Sequence, residues 1–159
     1  MEITDENVKS AIQVAARSLA RCEQCRAGLE RKLLQKEFDE DTIRQALDFL
    51  ESKKYLDDAR YAASWIRSHC AYKPRGSIRL IRELCMRGVS REIAAEAVEA
   101  YFETVDEYEV CCKACEKLII KKKSEKNILK SLADAGFSYK IIQRALKTKE
   151  GWACVSERN

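Results

Sequence analysis

Apolar residues recur along this chain with one spacing, three times. The first set is Leu29, Leu33, Phe38, Ile43, Ala46 and Leu47; the second is Leu80, Leu84, Val89, Ala94, Ala97 and Val98; the third is Ile128, Leu132, Phe137, Ile142, Ala145 and Leu146. Each keeps the same offsets from its central residue, nine and five before it, then five, eight and nine after it. Apolar steps of this size trace one face of a helix, so each set predicts two helices joined at its centre. Just after the centres stand Asp39, Ser90 and Ser138, whose side-chain oxygens suit a helix N-cap. Just before them stand Glu37, Gly88 and Gly136. Glycine readily takes the left-handed turn that ends a helix. Glu37 does not, which predicts a different turn in the first repeat. A further helical pattern precedes each pair, over roughly 7–21, 58–69 and 106–122. The predicted fold is all-α, with three tandem three-helix repeats over 1–56, 57–104 and 105–150 and a frayed tail over 151–159. One such unit cannot cover its own apolar stripe, whereas stacked units can, so the repeats are expected to form an elongated, curved array.

The middle repeat shows how polar positions punctuate the pattern. Asp58 suits the N-cap of a helix whose apolar face is Ala62, Trp65, Ile66 and His69, the last being the sole histidine. Asp57 and Asp58 are adjacent and have no third acid or histidine beside them, so they read as capping residues rather than a metal or acid–base pair. Pro74, the single proline, and Gly76 interrupt the pattern before a second helix that reaches Arg87. Between Arg67 and Arg91 there are seven basic residues and one acidic residue, Glu83.

Spacing gathers part of that charge. At about 100° per residue, Arg75, Arg79 and Arg82 fall on one side of the helix, opposite Leu80 and Leu84. Arg67, Lys73 and Arg87 could extend the patch. Guanidinium groups pair in two-pronged fashion with phosphate or carboxylate, so this stripe is a candidate surface for a polyanion or an acidic protein. The alternative is a solvated helix face. On the pattern alone, Arg75, Arg79 and Arg82 read as spare for the fold. A second cluster comprises Lys117, Lys121, Lys122, Lys123, Lys126 and Lys130, and Lys121–Lys123 equally suit a helix C-terminus. Lys140 and Arg144 lie one turn apart on the last helix, the position of a recognition helix in a helix-turn-helix.

Composition narrows the class. The 159 residues are 46% hydrophobic and 35% charged, with one proline and five glycines, as expected of a helical protein with solvated faces. The net charge of +4 does not by itself demand nucleic acid. Positive excess sits from the middle of the second repeat onward: residues 1–56 carry ten basic and eleven acidic groups, 57–105 eight and seven, 106–159 twelve and eight. The first residues lack the pattern of a signal peptide and there is no membrane-length apolar run, so a cytoplasmic protein is expected. Cysteines stand at 22, 25, 70, 85, 111, 112, 115 and 154. Two C-x-x-C pairs, Cys22/Cys25 and Cys112/Cys115, are too far apart for a compact zinc module, and most of these thiols read as reduced packing residues. No phosphate-binding loop or nucleophilic triad can be assembled, so neither enzymatic activity nor a cofactor is expected.

The segments YLDDARYAASWIRS at 55–68 and PRGSIRLIRELCMRGVSREIAAEAV at 74–98 resemble the RecX family, regulators of the RecA recombinase. GLERKLLQKEFDEDTIRQALDFLESKKYLDD at 28–58 and SLADAGFSYKIIQRAL at 131–146 extend the resemblance to roughly residues 12–148. Cys25 stands where the family tends to carry serine. The resemblance implies a non-enzymatic protein that binds in the groove of the RecA–DNA filament and restrains its ATPase, strand exchange and growth; the sequence gives no sign of an obligate dimer, so a monomer is expected. The candidate contacts are Arg67, Lys73, Arg75, Arg79, Arg82, Arg87, Lys122, Lys126, Lys130, Lys140 and Arg144. The rival readings are a direct DNA-binding protein with helix-turn-helix-like units, against which the near-neutral first repeat weighs, and a helical scaffold for another protein.

Overall fold

The computed structural model describes residues 5–121 and 124–156. Among the described residues every regular element is an α-helix. In chain order they are α1 (Glu6–Leu19), α2 (Arg26–Leu34), α3 (Glu40–Ser52), α4 (Asp58–Cys70), α5 (Ser77–Arg87), α6 (Arg91–Thr104), α7 (Glu107–Ile120), α8 (Glu125–Asp134) and α9 (Tyr139–Ser156). The three-helix rhythm of the sequence is thus the rhythm of the fold. α5 starts at Ser77, with Pro74, Arg75 and Gly76 ahead of it, and the Gly76 amide donates to the Ala135 carbonyl. α9 runs through Gly151 to Ser156, past the point where its apolar pattern ends.

The repeated apolar residues are the core. All of them are buried except Phe38, Ala97 and Leu146, which are half-buried. Fully burying one leucine or isoleucine contributes about 1.5–3 kcal/mol, so this repeated set dominates stability.

The joints repeat as closely as the core. In all three, the residue before the centre takes a left-handed backbone: Glu37 at φ 63°, Gly88 at 98° and Gly136 at 87°. In all three, the next amide donates back across the helix end, Phe38 to the Leu33 carbonyl, Val89 to Leu84 and Phe137 to Leu132, at 3.2–3.3 Å. In all three, the following residue caps the next helix: Asp39 accepts from the Thr42 amide at 2.9 Å, Ser90 from Ile93 at 3.3 Å and Ser138 from Ile141 at 3.4 Å. The different turn expected at Glu37 is therefore corrected. The packing on either side imposes the same turn, and the side chain tolerates a conformation that costs a non-glycine residue roughly 1–2 kcal/mol. Glu37→Gly should accordingly raise stability by about 0.5–1 kcal/mol, read as a higher urea midpoint at unchanged slope.

The chain divides into two compact units. One comprises Met1–Trp65 with Leu84–Ala94, the other Ile66–Glu83 with Ala95–Asn159. In the first, α1 packs on α3 and both contact α2. Its core is Val8, Ala11, Ala15, Leu29, Leu33, Ile43, Ala46, Leu47, Leu50 and Leu56. In the second, α7 packs on α9 and α8 around Cys111, Cys115, Ile128, Leu132, Phe137 and Ile142.

Each unit contains one seam between successive repeats, built to one plan. In the first, the start of α2 meets the turn at Arg87–Gly88. The Cys25 thiol and the Arg31 guanidinium both donate to the Arg87 carbonyl, at 3.4 and 3.2 Å. In the second, the start of α5 meets the turn at Ala135–Gly136. Gly76 N–H donates to the Ala135 carbonyl at 2.9 Å and Ile78 N–H to the Gly136 carbonyl at 3.2 Å.

Carboxylates from the next repeat close both seams. Asp58 does not cap its own helix, as the sequence pattern suggests. Asp57 does, accepting from the Arg60 amide at 3.0 Å, while Asp58 reaches back to the Arg26 amide at 2.7 Å and closes the N-terminus of α2. Asp106 and Glu107 repeat the division of labour. Asp106 caps α7 through the Tyr108 amide at 2.8 Å, and Glu107 accepts from the Ser77 amide at 2.7 Å at the start of α5. Adjacent acids face different directions, so one can serve its own helix and the next another.

Burial raises the Asp58 carboxyl above its usual range, against the lowering effect of the Arg26 amide bond. A carboxyl raised on folding adds stability below its unfolded pKa, and that contribution is lost as pH rises through its folded pKa. Asp58→Asn keeps an acceptor for the Arg26 amide without a buried charge. It should match or exceed the parent at pH 7, with the parent gaining on it as pH falls toward 4. Asp58→Ala should lose about 1 kcal/mol, the usual cost of an open helix N-terminus. Urea unfolding of both variants at the two pH values checks this.

Candidate partner-binding surface

The cationic stripe on α5 is organised by the one acid within it. Glu83 lies one turn beyond Arg79, and its Oε1 accepts from Arg79 Nε at 2.6 Å. Its Oε2 pairs with the Arg75 guanidinium, whose side chain is only 15% exposed. Arg79 also donates from Nη1 to the Asp134 carbonyl at 3.0 Å, tying α5 to the end of α8. Arg75 and Arg79 are thus parts of the fold, and the expectation that they are spare is corrected. Helical spacing aligns Arg79 with Arg82 but not Arg75, which lies ahead of the start of α5. What it could not show is that Glu83 reaches both Arg75 and Arg79. Arg82 is exposed and forms no salt bridge among the described residues.

Two further candidate cations cover aromatic rings. Arg87 lies 5.1 Å from the centroid of Trp65, and Arg144 lies 4.1 Å from that of Tyr108. These are cation–π distances, and each orients its guanidinium as well as stabilising the ring's burial. Arg67, Lys73, Lys126, Lys130 and Lys140 are exposed and form no salt bridge among the described residues. Lys122 lies outside the described residues.

The structure also brings Lys113, which the sequence reading omits, together with Lys117 of the second cluster. Lys113 and Lys117, one turn apart on α7, line an open cleft of about 200 Å³ together with Lys73 from the α4–α5 loop. The signal available in the sequence was their separation of four, which stacks two like charges on one helix face.

Seven of the eight cysteines have described side chains; that of Cys154 lies outside them. Cys22 is exposed, whereas Cys25, Cys111 and Cys115 are buried and Cys70, Cys85 and Cys112 are half-buried. Burial pushes the Cys111 thiol up to about 12, with Cys112 and Cys115 adding to the rise. Such a thiol is unreactive and serves as a small apolar residue. Among the described residues no group of three or more His, Cys, Asp or Glu could hold a metal ion. Among the same residues no helix is long and apolar enough to cross a membrane.

Three-helix domains repeated in tandem, with each seam closed by the next domain's acid, define a helical-repeat protein. Comparison with known proteins gives the particular family. Residues 11–50 match the model of the first three-helix domain of RecX, and 57–98 that of the second. Regulatory protein RecX of Treponema pallidum is 32% identical over 133 residues, spanning 84% of this chain and 81% of that protein. Regulatory protein RecX of Chlorobaculum tepidum is 32% identical over 149 residues, spanning 90% and 91%. The crystal structure of RecX from Lactobacillus salivarius shares the fold, with a TM-score of 0.80 at 24% identity over 91% of this chain and 97% of that one. This chain belongs to the RecX family, a family of regulatory proteins rather than of enzymes.

Proposed function

We propose that this protein modulates the RecA recombinase, mainly as an inhibitor, by binding in the groove of the RecA–DNA filament. The observation that carries the reading is membership of the RecX family over both matched domains. The surface supports it through a set of exposed cations: Arg67, Lys73 and Arg82, with Lys126 and Lys130 on α8 and Lys140 on α9. These would meet acidic protein surface or filament phosphate, while Arg75 and Arg79 would act by holding α5 in place. The protein would work in the cytoplasm, beside RecA, as a monomer and without a cofactor.

A bound regulator shifts a filament only by favouring one of its states. The proposed effect is to restrain ATP hydrolysis, strand exchange and filament growth. Titrating the protein into RecA's DNA-dependent ATPase should lower the rate at stoichiometric or lower amounts. An unchanged rate would sink the reading. Arg82→Ala should weaken inhibition while leaving the fold intact, and Arg79→Ala should lower stability as well.

A further inference from the structure

Residues 92–112 hold seven acidic side chains and no basic one, in a chain that carries 30 lysines and arginines. Four of the seven, Glu92, Glu96, Glu99 and Glu103, are spaced four, three and four apart on α6. They therefore fall within about 60° of one another around the helix. All four are exposed, and none forms a salt bridge among the described residues. Like charges one turn apart repel, and Glu103 stands in the last turn of α6, where the helix dipole disfavours an acid. α6 gives up stability to keep this face acidic, and nothing in the fold requires it.

The acidic face borders an apolar groove. Ile81 of α5 and Ala95, Val98 and Phe102 of α6 form its floor. Val98 is buried, while Ile81, Ala95 and Phe102 are half-buried. Glu99 and Glu103 line the groove from α6 and Glu107 from the start of α7. Glu107 already accepts from the Ser77 amide, which leaves Glu99 and Glu103 as the available carboxylates. No lysine or arginine lines the groove.

Floor and rim together define the occupant. Carboxylates repel phosphate, so the groove does not suit a nucleic acid. A purely apolar segment would leave the glutamates without partners, and a bare polycation would leave Ile81 and Phe102 uncovered. A helix with apolar residues three and four apart, flanked by lysine or arginine, satisfies both. Its apolar side chains seat in the groove while its cations meet Glu99 and Glu103.

We propose that this groove is a docking site for a basic amphipathic helix of a partner protein. Ile81 and Phe102 receive its apolar face, and Glu99 and Glu103 pair with its cations. The proposal goes beyond the RecA reading, which draws on the cationic surface. Its test contains no RecA, so the two fail independently.

The probe is a fluorescently labelled peptide of leucine and lysine, about 14 residues or four helical turns long, patterned to give one apolar face. Its binding to the full chain is read by anisotropy. A scrambled peptide of the same composition should bind about tenfold more weakly, because it carries the charge without the face. Glu99→Gln combined with Glu103→Gln should weaken binding of the patterned peptide by about fivefold at low salt and flatten its salt dependence, as expected for two exposed ion pairs. The same variant should unfold at an equal or higher urea midpoint, since repulsion within α6 is relieved. Glu30→Gln combined with Glu40→Gln removes the same charge from side chains that do not line the groove, and should change binding little. No binding of the patterned peptide overturns the proposal, as does parental affinity in the Glu99→Gln, Glu103→Gln variant. Equal affinity for patterned and scrambled peptides would mark charge attraction alone and overturns it too. So does a mass by light scattering that doubles with concentration and returns to the monomer in that variant, which would make the groove an interface between copies of this chain.

Discussion

Gly136→Ala is expected to destabilise the protein by roughly 3 kcal/mol or more, the sum of a strained backbone and an overpacked contact. Gly136 sits at φ 87°, a conformation that side chains rarely adopt. A Cβ there would lie 2.2 Å from the Arg79 Cβ and 2.4 Å from the Arg79 amide nitrogen. Neither atom belongs to a flexible side-chain end, so α5 itself would have to move. That movement would break the bonds from Gly76 and Ile78 to the turn. Against a typical total stability of about 5–15 kcal/mol, this is a large fraction. Gly28→Ala is the informative contrast. Its added Cβ would meet the Cys25 sulfur at 3.3 Å, so that sulfur must give by a few tenths of an ångström, against a helix gain from alanine of up to about 1 kcal/mol. A lowered thermal midpoint for the first variant and a neutral or raised one for the second would confirm the distinction.

The second large effect is expected at Glu83. Glu83→Ala removes the carboxylate shared by Arg75 and Arg79, whose side chains are 15% and 36% exposed. Breaking a fully buried ion pair costs about 3–5 kcal/mol, and an exposed pair is worth about 0–1 kcal/mol. The partial burial here sets an expectation of about 2 kcal/mol, measured by urea unfolding. Glu83→Gln should fall between the parent and Glu83→Ala, because the amide oxygen still accepts one hydrogen bond but carries no charge. An Arg75→Met change in the Glu83→Ala background should recover part of the loss, since burying a hydrophobic side chain avoids leaving a charge behind. A Glu83→Ala variant as stable as the parent would return Arg75 and Arg79 to the status of surface residues.

These two sites mark where sequence reading succeeded and where it stopped. Period and spacing were enough to place the helix pairs, because burial of Leu29, Leu80 and Ile128 and their repeats depends on position along the helix alone. Capping at Asp39, Ser90 and Ser138 was legible for the same reason: donor and acceptor lie three residues apart. The turn at Glu37 was not legible, since its conformation is imposed by tertiary packing against the local preference of the residue. Asp58 was misassigned by one position because its partner, Arg26, lies 32 residues away. Arg75 and Arg79 looked free because a helical wheel does not hold for Arg75, which precedes α5, and does not show that Glu83 reaches both. Lys113 was missed because it joins Lys73 only through the packing of the α4–α5 loop on α7.

The acids that reach backwards also bear on how the chain is made. α2 is complete long before Asp58 emerges from a ribosome, and α5 long before Glu107 does. Until then each helix begins with amide groups that only water satisfies. The last repeat synthesised therefore closes the one before it. A fragment cut between residues 52 and 57 keeps every helix of the first repeat yet loses the residue that seals α2. The natural boundary for dissecting this protein lies beyond Asp58, inside the neighbouring repeat, and not in the linker that separates the two.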